Sequence, residues 1–183
     1  DRPRVIGRRG APLRSQRDLA GHPRLERRDL TACLVEFHQR DSRVADREPG
    51  HPVPIALCAD DYAIAPGVDD AILSLAANDR ITAFSCMTAS TRWKKAAERI
   101  NPLFGKIDIG LHFTLTQLAP IEPMPRLAPD GRFPSRGRLY AQAYLRSVDL
   151  TEIEAEFRRQ IDAFTGATGR VPDFIDGHHH VHE

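Results

Sequence analysis

Pro54-Ile55-Ala56-Leu57-Cys58-Ala59-Asp60-Asp61 is the stretch that decides the fold. An uncharged apolar run ends abruptly on two adjacent carboxylates. Such a run suits a strand buried on both faces, as in a parallel sheet covered by helices. The expected strand spans residues 54–59, approached through His51-Pro52-Val53-Pro54. Pro66-Gly67 breaks the chain, and a helix follows with Val68, Ala71, Ile72, Leu75 and Ala76 on one face. Asp69 and Asp70 lie in its first turn, where the helix dipole favours negative charge.

The pattern then repeats. Residues 81–87 read as a second strand, 91–100 as a helix ended by Asn101-Pro102, and 106–115 as a third strand. Residues 117–137 carry Pro120, Pro123, Pro125, Pro129, Gly131 and Pro134. A loop this long in a compact domain is functional or disordered. A short helix is expected over 138–146. A stronger one opens at Thr151, with Glu154 as its capping-box partner and Ile153, Phe157, Ile161 and Phe164 as its apolar stripe. Gly166 and Gly169 mark its end, and residues 171–176 form a fourth strand. Strand and helix alternating in this way imply an α/β fold with parallel strands and right-handed crossovers.

Parallel α/β sheets place their active sites at the carboxyl ends of the strands. Three polar groups fall there: Asp60-Asp61, the His112 of Gly110-Leu111-His112, and the run Asp176-Gly177-His178-His179-His180-Val181-His182-Glu183. Two imidazoles and one carboxylate can hold a divalent metal and leave coordination positions open. If one Asp of the pair binds the metal, its neighbour can act as the base. An extended strand would point the two to opposite faces, so the chain must turn there. Within the histidine run, His178 is nearest the strand end and is the ligand candidate. His179 is expected to point elsewhere, while His180 and His182 could line the pocket, one of them protonating the leaving group.

Composition bounds the rest. The 183 residues suffice for one sizeable core, with 41% hydrophobic and 28% charged residues and a net charge of +1. No apolar run approaches a membrane span, and no signal-peptide pattern opens the chain. Cys33, Cys58 and Cys86 match no zinc spacing, and such scattered thiols favour a reduced, cytoplasmic setting. Residues 1–50 hold 12 Arg against 8 acidic residues, while residues 51–183 hold 14 basic against 17 acidic. The first segment reads as an Arg-rich, disordered extension with one short helix near residues 30–37. Its arginines are interleaved with acids, so no nucleic-acid partner is expected from it.

Taken together, the pieces resemble the YdjC-like carbohydrate deacetylases, the group of chitooligosaccharide and hopanoid-associated deacetylases. The resemblance rests on Ala59-Asp60-Asp61-Tyr62-Ala63-Ile64-Ala65-Pro66-Gly67-Val68, on residues 81–87, on Ile109-Gly110-Leu111-His112-Phe113-Thr114-Leu115-Thr116, and on residues 172–182, in order over 54–183. It implies a partial, distorted TIM-like (β/α) barrel over residues 51–183, read as C-terminally truncated. It implies a hydrolase that removes the acetyl group from acetylated amino sugars. The metal, Mg²⁺ or Zn²⁺, would sit on Asp61, His112 and His178, with Asp60 as base and His182 lining the pocket or donating a proton. The resemblance is also compatible with a homodimer. Against this stand two other readings: a metal-dependent phosphoesterase or other amidohydrolase, and an inactive fragment that still binds metal or sugar.

Overall fold

The computed structural model describes residues 55–181. The Arg-rich extension, the short helix expected near residue 30 and His182 lie outside the described residues. Four strands form one sheet: β1 (Cys58–Tyr62), β2 (Ala83–Cys86), β3 (Asp108–Phe113) and β4 (Ile175–Gly177). Their order is sequential, and every neighbouring pair is parallel. The helices are α1 (Pro66–Ala77), α2 (Trp93–Ala97), α3 (Arg136–Tyr144) and α4 (Leu150–Thr168). A mixed α/β chain with a sequentially ordered parallel sheet is the arrangement of a partial (β/α) barrel.

Two apolar clusters hold the sheet to its helices. In the first, Tyr62 and Phe84 meet with ring centroids 5.3 Å apart, and Trp93 stacks on Phe164 at 5.6 Å. The polar tips of this cluster are satisfied: Tyr62 donates to the Ala96 carbonyl and Trp93 to the Ala163 carbonyl, both at 2.9 Å. The second cluster joins Phe113 and Leu115 to Met124, Leu127, Phe133 and Leu139, with Ile153 and Phe157 of α4 against it. The Pro-rich loop therefore folds down as core. Buried Glu156 accepts from the Ile121 amide, and Glu152 from the amides of Arg126 and Leu127. These bonds satisfy loop backbone that apolar packing would otherwise strand without partners.

Several elements differ from expectation. The run 54–59 is not a strand buried on both faces: β1 begins at Cys58, and Ile55 and Leu57 are 82% and 55% exposed. Among the described residues β1 is an outer strand, so the covering assumed for a central one is missing. On α1, Ile72 is buried and Val68, Leu73 and Ala76 pack inward, while Leu75 is 40% exposed. Helix α3 starts at Arg136, where the Ser135 side chain caps it. Helix α4 is capped by Asp149, which accepts from the amides of Thr151 and Glu152; the expected box on Thr151 does not form. Aspartate is among the strongest N-caps, and here it precedes the threonine. Gly169 closes α4 at φ 68, the left-handed conformation that glycine adopts freely.

Candidate active site

Between Ala59↔Phe84 and Tyr62↔Cys86 the β1–β2 register slips by one residue, a β-bulge. Within it Asp61 adopts φ 69, and Ala63 just beyond adopts φ 78. This is the turn that an Asp-Asp pair at a strand end required. A clamp centred on buried Asp69 holds it. The Ala63 amide donates to Asp69 Oδ1 at 2.7 Å, while Ser90 Oγ donates to the Ala63 carbonyl at 2.7 Å. Arg92 closes the clamp with a 2.7 Å ion pair to Asp69 Oδ2 and a 3.3 Å bond to the Ala63 carbonyl. Asp69 thus does more than face the helix dipole: it is 1% exposed and ties α1 to the bulge.

The bulge delivers Asp61 to two histidines. Asp61 Oδ1 lies 2.9 Å from His178 Nδ1 and 3.3 Å from His112 Nε2, and the two nitrogens are 3.2 Å apart. Each ring's other nitrogen is engaged elsewhere. His112 Nδ1 lies 2.8 Å from Asp176 Oδ1 and 3.1 Å from Ser85 Oγ, and His178 Nε2 lies 2.9 Å from Gln117 Oε1. Donation to Asp176 and Gln117 fixes the tautomers and leaves both inward nitrogens as acceptors. Three acceptor atoms then face one another, and Asp61 Oδ1 is buried without a well-directed hydrogen bond. Such a set is repulsive unless a proton or a cation joins it.

The protonation states agree. The imidazoles of His112, first, and of His178 hold the Asp61 carboxyl well below the usual carboxylate range, against the opposing effect of its burial. Burial resists charge on His112, but Asp176 and Asp61 outweigh it and raise its pKa to about 9. A divalent ion can stand where that proton stands. Ligand atoms around a small cation at ~2.0–2.2 Å are about 3–3.5 Å apart, and the observed separations of 2.9–3.3 Å fit that spacing.

All three predicted ligands therefore meet at the carboxyl ends of β1, β3 and β4. Asp60 does not converge with them. It is exposed, and its Oδ1 accepts from Ser85 Oγ at 3.2 Å and from Cys58 Sγ at 3.4 Å, so Ser85 links it to His112. Burial, and after it that neighbouring charge, pushes the Cys58 thiol up to about 12. His179 is stacked on His178, with centroids 3.9 Å apart, and its Nδ1 lies 3.0 Å from Thr116 Oγ1. His180 is exposed. Sequence reasoning gave no role to Asp176, Ser85, Gln117, Thr116 or Tyr140. Asp176 sits opposite His112 in the β3–β4 register, a pairing that chain order alone does not provide.

The model of the YdjC-like protein family matches residues 54–183. The chain belongs to the YdjC-like family. It is 32% identical over 124 residues to chitooligosaccharide deacetylases of Yersinia pestis (strain Pestoides F) and Yersinia pseudotuberculosis serotype O:1b (strain IP 31758). That alignment covers 68% of this chain and 48% of each relative, so the chain spans about half the length of these YdjC-like relatives. A crystal structure from Enterococcus faecalis V583, of a candidate cellobiose-phosphate cleavage protein, superposes with a TM-score of 0.57 at 30% identity. It covers 69% of this chain and 49% of that one.

Proposed function

We propose that residues 51–183 form part of a divalent-metal-dependent deacetylase that removes the acetyl group from acetylated amino sugars and releases acetate. The observation that carries this reading is the convergence of Asp61, His112 and His178 in a YdjC-like chain whose curated relatives are named for chitooligosaccharide deacetylation.

The donor set fits a divalent ion held by Asp61 Oδ1, His112 Nε2 and His178 Nδ1. When bound there, Mg²⁺ or Zn²⁺ polarises an amide carbonyl and acidifies water. The chain's own groups supply the rest. Asp176 and Gln117 keep the two imidazoles in the ligating tautomer. Asp60, exposed to solvent and oriented by Ser85, takes the proton of the attacking water. His182 is the residue we assign to protonating the departing amine. Free thiols at Cys58 and Cys86 accord with a cytoplasmic site of action. Among the described residues no helix is long and apolar enough to cross a membrane.

The test is acetate release from N,N′-diacetylchitobiose with Mg²⁺ or Zn²⁺ present. Asp60→Asn is expected to slow it by about 10²–10⁴-fold. Metal binding with no acetate would overturn the reading in favour of an inactive fragment. The Enterococcus structure's name favours a second reading, cleavage of a phosphorylated disaccharide. Release of sugar or phosphate from cellobiose phosphate, with acetate absent, would select it.

A further inference from the structure

Helix α3 lies against the histidine turn, and the proposed reaction gives it no task. The hydroxyl of Tyr140 donates to the His179 carbonyl at 2.9 Å, yet Tyr140 is 47% exposed. One helical turn earlier, Arg136 opens the helix and is exposed. Residues i and i+4 share a helix face. That face therefore carries Tyr140 and Arg136 together, and Tyr140 reaches the turn on which the His178 and His179 rings stack, the first of them in the proposed metal triad.

Tyr140 is thus tethered by its hydroxyl while nearly half of the residue stays open to solvent. The tether restricts the ring in advance, so a ligand laid on it loses less entropy. The axial C–H groups of a pyranose pack well on such a flat apolar surface. An arginine at the rim supplies directed donors for the hydroxyl oxygens.

We infer that Tyr140, with Arg136 at its edge, is a specificity-determining subsite. It holds the sugar ring adjacent to the one whose acetamide reaches Asp61, His112 and His178. This rests on the proposed function for the identity of the ligand as an amino-sugar oligosaccharide. It extends that reading by assigning disaccharide preference to one helix face. The Tyr140 hydroxyl bonds the His179 backbone carbonyl and none of the three proposed ligand atoms.

The test is a calorimetric titration of the chain with N,N′-diacetylchitobiose and with N-acetylglucosamine, in the presence of chelator so that turnover does not intrude. The wild type should bind the disaccharide more tightly than the monosaccharide. Tyr140→Ala should erase about fivefold of that preference, the scale of one aromatic contact, while leaving monosaccharide affinity within about twofold. Tyr140→Trp, which keeps an aromatic face, should retain the preference, and it serves as the control if the alanine variant folds poorly. A preference unchanged in Tyr140→Ala, one lost equally in Tyr140→Trp, or no disaccharide preference in the wild type would each overturn the inference. Acetate release is scored separately: Tyr140-dependent binding without acetate would leave the subsite standing and sink the deacetylase reading.

Discussion

Asp176 is the residue on which the behaviour of the site turns. It reaches His112 Nδ1 at 2.8 Å, fixes that ring's tautomer and raises its pKa. Outer partners of metal-binding histidines usually contribute 10–100-fold in affinity, so Asp176→Asn should weaken divalent-metal binding by about that factor. The same pair sets a pH dependence for the metal-free chain. The pKa of His112 is raised from 6.5 to about 9 on folding. Its stabilising contribution is therefore complete below about pH 6.5 and lost as pH rises through 9. Asp61 is shifted the opposite way, and its contribution is present above its unfolded value and lost as pH falls. Thermal melts in chelator should show a decline from pH 6.5 to 9 that is flattened in His112→Gln. A melting temperature that rises over that range would contradict the assignment.

Two junctions between elements hold the site in register. The first is the clamp of Asp69, Ser90 and Arg92 on Ala63, which stabilises the bulge carrying Asp61. Asp69→Ala strands the Ala63 amide and Arg92, and should cost about 1.5–3 kcal/mol in urea unfolding. Asp69→Asn keeps an acceptor and should recover much of the loss in both stability and metal affinity. The second is the contact of β3 with the chain entering β4. A methyl group on Gly110 would lie 2.5 Å from the Phe174 ring. Gly110→Ala should therefore destabilise by roughly 1–3 kcal/mol. The double variant with Phe174→Leu should regain part of it. These junctions also mark what the sequence could and could not disclose. Parallel strands followed from alternating patterns, and the strand ends brought out Asp60-Asp61, His112 and His178, while the choice of Asp61 over Asp60 came from the YdjC-like resemblance. The bulge, the buried use of Asp69 and the pairing of His112 with Asp176 depend on register, which local pattern leaves open. The Pro-rich loop reads as irregular because its anchors, Met124, Leu127 and Phe133, follow no helix or strand period.

At the scale of the whole molecule, the three proposed ligands come from β1, β3 and the turn after β4, so they span the sheet that the described residues form. A metal held there ties together parts of the chain 117 residues apart, from Asp61 to His178. Bound ligand stabilises the folded state by mass action, about 2.7 kcal/mol at a hundredfold excess over Kd. Thermal stability should rise with added Zn²⁺ or Mg²⁺, and the rise should vanish in Asp61→Asn. The most direct test of the central claim is a calorimetric titration of the metal-free chain with Zn²⁺, run beside Asp61→Asn and His178→Ala. The arrangement of Asp61, His112 and His178 predicts one ion per wild-type chain, with the site lost in either variant while the circular dichroism spectrum is retained. Binding of one ion with unchanged affinity in folded Asp61→Asn, or no binding to the wild type, would contradict it.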